Sequence, residues 1–143
     1  MSTRRNAIAA GAIVLAMILS GCSAVSNIWA AMDTSGEITF ALCDQVDAAE
    51  IRVRIQGDDG PAWVSAGSHD FAEGDRFTYG TDPDGFDSTS GPLPIASSDT
   101  VVVSVLPGES RSEDSARAEF KVADISSDDW LSADGRRSPN PCS

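Results

Sequence analysis

Three cysteines, one histidine and 22 carboxylates are the side chains of this 143-residue sequence best able to do chemistry. Cys22 closes an apolar stretch near the start, which leaves Cys43 and Cys142 as an even pair. Such a pair suits a disulfide in an oxidising compartment, with two free thiols as the alternative. No CxxC spacing is present and His69 stands alone, so a cysteine-based metal or redox centre lacks its ligands. A bridge would tie the first strand of the domain to its last residues. Closing a loop of roughly 100 residues in this way stabilises by about 4–5 kcal/mol in the chain-entropy model.

Ser68 and Asp70 flank His69. A Ser-His-Asp triad is defined by spatial roles, and neighbours on a strand point to opposite faces, so the tripeptide is no triad by itself. No G-x-S-x-G elbow accompanies it. The run Asp82-Pro83-Asp84-Gly85-Phe86-Asp87 places Asp82, Asp84 and Asp87 around a glycine, a faint outline of a Ca²⁺ loop. A third ligand before the glycine and a closing glutamate are missing, and Pro-Asp-Gly is also an ordinary turn. Glu109, Glu113 and Asp114 make a second acidic loop of the same ambiguity. Glycoside hydrolysis needs two carboxyls facing across a sugar-binding cleft, for which a small domain with short loops has little room. Trp63, Tyr79 and Trp130 would be a sugar-stacking face if exposed, and core residues otherwise.

Cys22 is placed by the segment that precedes it. Arg4 and Arg5 precede an apolar run of 13 residues, Ala7–Leu19, with no acidic residue among residues 1–21. The run is short of the ~20 residues of a bilayer span and has the charged and apolar regions of a secretory signal peptide. It ends in Leu19-Ser20-Gly21-Cys22. This ending resembles the lipobox of bacterial lipoproteins. The resemblance implies removal of residues 1–21 and diacylglycerylation of Cys22 with fatty acyl chains of the palmitate kind. Two such chains hold far more firmly than one, because each buried methylene contributes about 0.8 kcal/mol. Thr3-Arg4-Arg5 hints at twin-arginine export, but Asn6-Ala7-Ile8 fits that pattern poorly and favours general secretion.

Beyond residue 21 lie 122 residues with eight basic and 22 acidic side chains, a formal charge of −14. This argues against nucleic acid as a partner, whose binding neutralises phosphates with Lys and Arg, and against polybasic adhesion to anionic lipid. Residues 22–35 read as a lipidated tether. Val25, Ile28, Trp29 and Met32 share one helical face, so a short interfacial helix is the other reading.

From Gly36 the period becomes two. Ile38, Phe40 and Leu42 alternate with Glu37, Thr39 and Ala41, and Ile51, Val53 and Ile55 with Arg52, Arg54 and Gln56. Strands are expected at residues 62–65, 76–79, 101–105 and 118–122, with residues 80–99 a Gly/Pro/Ser/Asp loop and Leu93 and Ile95 in short pairing. Trp63, Phe71, Phe77, Phe120 and Trp130 supply the core. Six or seven short strands without a long helix predict an all-β fold, a single antiparallel β-sandwich over residues 36–143. The order of elements resembles the small immunoglobulin-like lipoproteins of Gram-positive bacteria.

The expected protein is a lipid-anchored lipoprotein on the outer, extracytoplasmic face of the cell membrane. Its role is non-enzymatic, binding or structural, needs no cofactor, and involves the membrane through the lipid on Cys22 and an envelope protein or glycan. A small-ligand or carbohydrate-binding module is the first rival, and a small envelope hydrolase using Asp and Glu the second.

Overall fold

The structure is a computed structural model and describes residues 27–108 and 116–143. The signal peptide, Cys22, Val25 and the first part of the expected tether lie outside the described residues, as do Glu109, Glu113 and Asp114.

Ten strands make up the described chain: β1 (Ile28–Met32), β2 (Ile38–Leu42), β3 (Val46–Ile55), β4 (Pro61–Phe71), β5 (Arg76–Thr78), β6 (Phe86–Ser90), β7 (Thr100–Pro107), β8 (Ala116–Lys121), β9 (Trp130–Ser132) and β10 (Arg137–Ser138). The only helical element among the described residues is a single 3-10 turn at Val122–Asp124. Two five-stranded antiparallel sheets run in the orders β10-β9-β1-β2-β5 and β6-β4-β3-β7-β8. They pack face to face as a β-sandwich, as the alternation predicts.

Period-two patterning forms the second sheet. Val101, Val103 and Val105 of β7 are buried and alternate with half-buried Val102, Ser104 and Leu106. Val53 pairs with Val103 on one side and Trp63 on the other, so one cross-strand row runs through β4, β3 and β7. β-branched pairs of this kind are what stabilise a sheet. Aromatic rings bridge the layers: Phe40 and Phe77 from the first sheet meet Phe120 and Phe71 from the second, at centroid distances of 5.3 Å for Phe40–Phe77, 6.1 Å for Phe40–Phe120 and 6.1 Å for Phe71–Phe77. Phe86 reaches Phe71 at 6.2 Å.

The first sheet begins at Ile28 and not at Gly36. Residues 28–32, read as tether or interfacial helix, form β1, paired with β2 along its whole length and with β9 at Trp29 and Ala30. The physical reason is that β1 is an interior strand covered on both faces. Ile28, Trp29 and Ala30 are all buried, so no polar position marks the alternation and the apolar residues mimic a helical stripe. Ala41 of β2, assigned to a wet face, is fully buried for the same reason. Three further strands escaped the pattern. β6 (Phe86–Ser90) is an edge strand with four exposed polar residues inside the supposed loop, β9 has three residues and β10 has two. Leu93 does not pair in a strand and is 50% exposed.

Cys43 and Cys142 form a disulfide across a separation of 99 residues, with 5.2 Å between their Cα atoms. The bond joins the residue just after β2 to the tail beyond β10.

Candidate functional site

Two hydroxyls of the second sheet, those of Ser65 and Ser88, converge on the Asp82 carboxylate. Ser65 sits on β4 with its side chain buried, and its Oγ donates to Asp82 Oδ1 at 2.6 Å. Ser88, on β6, donates to the same oxygen at 2.6 Å and accepts from Trp63 Nε1 at 3.0 Å. The chain Trp63–Ser88–Asp82–Ser65 thus satisfies a buried indole N–H and a buried hydroxyl, groups that would otherwise be costly to sequester. The hydroxyls of Ser65 and then Ser88 hold the Asp82 carboxyl below the usual range. Asp82 is engaged in fastening the 80–85 segment to β4 and β6. Asp84 and Asp87 are exposed on either side of Gly85. Among the described residues, no group of three His, Cys, Asp or Glu side chains is placed to hold a metal ion.

The three candidate aromatics do not form one face. Trp63 is 0% exposed and lies in the core, so it offers no stacking surface. Tyr79 packs edge-on to Trp63 at 5.6 Å, and its hydroxyl donates to the Leu93 carbonyl at 2.7 Å. That contact pins the loop after β6, and burial pushes the phenol above its ordinary pKa. Trp130 belongs to the other sheet. Its neighbour Leu131 points into the core, so Trp130 faces outward, half-buried, with the Arg76 guanidinium 4.8 Å above its ring. Trp29 lies on the same outer face, 2% exposed, beneath the Arg136 guanidinium at 5.5 Å. A carbohydrate platform of Trp63, Tyr79 and Trp130 is therefore not assembled. Trp130, expected in the core, is an outer-face residue covered by arginine.

His69 occupies β4 edge-on to Phe71 at 4.5 Å, while Ser68 and Asp70 are exposed on the alternate positions. Gln45 Nε2 donates to both Asp70 oxygens at 3.4 Å. The tripeptide is split across the sheet, as strand geometry requires.

A depression lies along the seam between β8 of one sheet and β9 of the other, where no candidate site was expected. It holds about 350 Å³ and is lined by Thr100, Glu119, Phe120, Lys121 and Asp124 together with Leu131, Ser132, Ala133 and Gly135. Phe120 and Leu131 are buried apolar residues of the wall, and Glu119, Lys121 and Asp124 are exposed. Arg117, Glu119 and Lys121 alternate with Ala118 and Phe120 along the edge strand β8, a pattern that marks a strand and not a depression. An apolar wall with polar groups nearby can hold a small ligand or one extended strand.

No protein-family model matches this chain, and neither a curated protein nor a solved structure is significantly similar to it. Function must therefore be argued from its own residues, since a sandwich hosts many activities. Four of the acidic side chains have a structural use in turns. Asp33 accepts from the Ser35 and Glu37 amides, each at 2.9 Å, and from the Ser35 hydroxyl at 2.6 Å. Asp75 accepts from Ala72 N at 2.8 Å and Asp99 from Ala96 N at 2.7 Å. Asp134 accepts from Ser132 Oγ and, at 3.0 Å, forms an ion pair with Arg136. These carboxylates are turn acceptors, a structural use that needs no substrate.

Proposed function

We propose that this chain is a lipid-anchored lipoprotein of the cell envelope, displayed on the extracytoplasmic face, with a non-enzymatic binding or structural role. One observation carries it: Arg4-Arg5, the 13-residue apolar run and Leu19-Ser20-Gly21-Cys22 occur in the order that lipoprotein maturation requires. The disulfide supports an oxidising compartment. The formal charge of −14 beyond residue 21 supports a soluble body held at a membrane by lipid and not by basic side chains.

The test is Cys22→Ser in a bacterium that processes lipoproteins, fed a fatty-acid probe. The parent protein is expected in the membrane fraction and labelled, and the variant unlabelled and released or left as precursor. Equal membrane retention and equal absence of label in both would end the proposal.

The β8–β9 depression favours a second reading, a small-ligand or glycan-binding module. Backbone NMR shifts at residues 119–121 and 131–135 on addition of envelope glycan fragments would support it. Unchanged shifts across the series would remove it.

A further inference from the structure

The sandwich has two ends, and backbone hydrogen bonds among the described residues gather turns at each. At the first end, Cys43 N donates to the Asn27 carbonyl at 2.8 Å and Leu42 N to the Asp75 carbonyl at 2.9 Å. Gly74 N donates to the Leu42 carbonyl at 2.6 Å, and Trp29 stands opposite Ser132 in the ladder. Residues 43–45, 72–75 and 133–136, together with Cys142, therefore share the end at which β1 starts. At the second end, Met32 N donates to the Ser126 carbonyl and Gln56 N to the Thr100 carbonyl, at 3.0 and 2.8 Å. Leu93 N reaches the Ala62 carbonyl and Val122 N the Asp99 carbonyl, at 2.8 and 2.9 Å. The turns at 33–37, 56–60, 91–99 and 122–126 therefore share the opposite end.

We infer that the sandwich stands on its disulfide-closed end against the lipid bilayer, and that the turns at 33–37, 56–60, 91–99 and 122–126 form the surface it presents outward. This rests on lipidation of Cys22. The length of chain between Cys22 and the fold decides it. Six residue steps separate Cys22 from Ile28. At no more than ~3.6 Å per residue they span at most about 22 Å, whatever path they take. β3, ten residues long, sets the height of the sandwich at about 33 Å. The anchor can therefore reach the end carrying Asn27 and Cys43, and it cannot bring the far turns down unless the domain lies flat.

Charge holds the domain off the headgroups without choosing a side, since Asp44, Glu73, Asp75 and Asp134 lie at the disulfide-closed end itself, and the reach of the anchor decides which end is nearer. Anionic lipid repels a strongly acidic body over a Debye length of about 8 Å at physiological salt. The outer face of the first sheet carries Arg76 and Arg136, but Arg136 is ion-paired with Asp134 and both guanidiniums cover indoles of their own chain. Leu93, the one large hydrophobic residue strongly exposed among the described residues, lies at the outward end and not at the bilayer end. An apolar contact placed there is of use to a protein or polymer approaching from outside.

The experiment uses the full chain, matured in a lipoprotein-processing bacterium, isotope-labelled and reconstituted in phosphatidylglycerol-containing nanodiscs with a gadolinium-chelating lipid. Mass analysis first establishes acylation of Cys22. Amides at 44–45, 73–75 and 134–136 are expected to lose most of their intensity, while those at 34–37, 57–60, 95–98 and 123–124 keep theirs. Loss along Thr39, Thr78 and Trp130 from end to end would show the first sheet lying on the bilayer and would overturn the orientation while leaving the lipoprotein reading intact. Loss at the far turns would overturn it likewise. An unacylated Cys22 would overturn both.

Discussion

Replacing both Cys43 and Cys142 by serine should cost the domain a large share of its stability. The bond closes a loop with a sequence separation of 99 residues. The chain-entropy relation gives about 4.7 kcal/mol at 25 °C for a loop of about 100 residues. Domains of this size have total stabilities of about 5–15 kcal/mol. Native-state losses add little, because the hydrogen bonds of the tail are local. Ser138 and Ser143 share one at 2.6 Å, and Ser143 donates to the Asn140 carbonyl at 2.9 Å. The tail should thus act mainly through its sulfur. Urea unfolding of the chain beginning at Ser23 measures the effect, with a midpoint shift of roughly 2.4–4.7 M for slopes near 1–2 kcal/mol/M. A second variant sharpens the comparison: Cys43→Ser with the chain ended after Ser138 should unfold at the same midpoint as the double serine. A loss below about 1 kcal/mol would refute the entropic reasoning. A further loss on truncation would show that residues 139–143 pack in their own right.

Gly67 lies where β4 and β6 touch; a Cβ there would sit 1.9 Å from the Gly85 carbonyl oxygen. Gly67→Ala should therefore destabilise by about 1–3 kcal/mol, while Gly60→Ala, which meets nothing within 4 Å, should stay within about 0.5 kcal/mol in the same urea assay. The carboxyls of Asp33, Asp82 and Asp134 are held below the usual range, first by the hydroxyls of Ser35, Ser65 and Ser132 respectively. Between the folded and unfolded values the unfolded chain binds more protons. Stability is then full above pH ~4 and falls as pH drops through the depressed folded values. Unfolding curves from pH 6 to 2.5 should fall less steeply for Asp33→Asn/Asp82→Asn/Asp134→Asn than for the parent, and parallel curves would contradict the assignment. Arg76→Ala should uncover Trp130, raising acrylamide quenching and costing about 0.5–1 kcal/mol, and unchanged quenching would show that the guanidinium does not shield the ring.

The sandwich was legible wherever one face of a strand is wet. Arg52 and Arg54 between Ile51, Val53 and Ile55 mark the second half of β3, and the valines of β7 mark its inward face. It was illegible where both faces or neither are covered. β1 lies between β2 and β9 with Trp29 roofed by Arg136, so its pattern reads as continuous. β6 buries only Phe86 and spends Ser88 on a hydrogen-bond network that no periodicity encodes. The disulfide followed from counting cysteines. The β8–β9 depression did not follow from any local pattern, because Thr100, Glu119, Asp124 and Gly135 meet only through the pairing of distant strands.

The placement of the three tryptophans gives the domain a set of built-in reporters. Trp63 sits in the core against Ser88, Trp29 beneath one guanidinium, and Trp130 half-buried beneath another. Chains retaining a single indole would each emit from a different depth, and the three melting curves, overlaid, would tell whether the layers come apart together or one after the other.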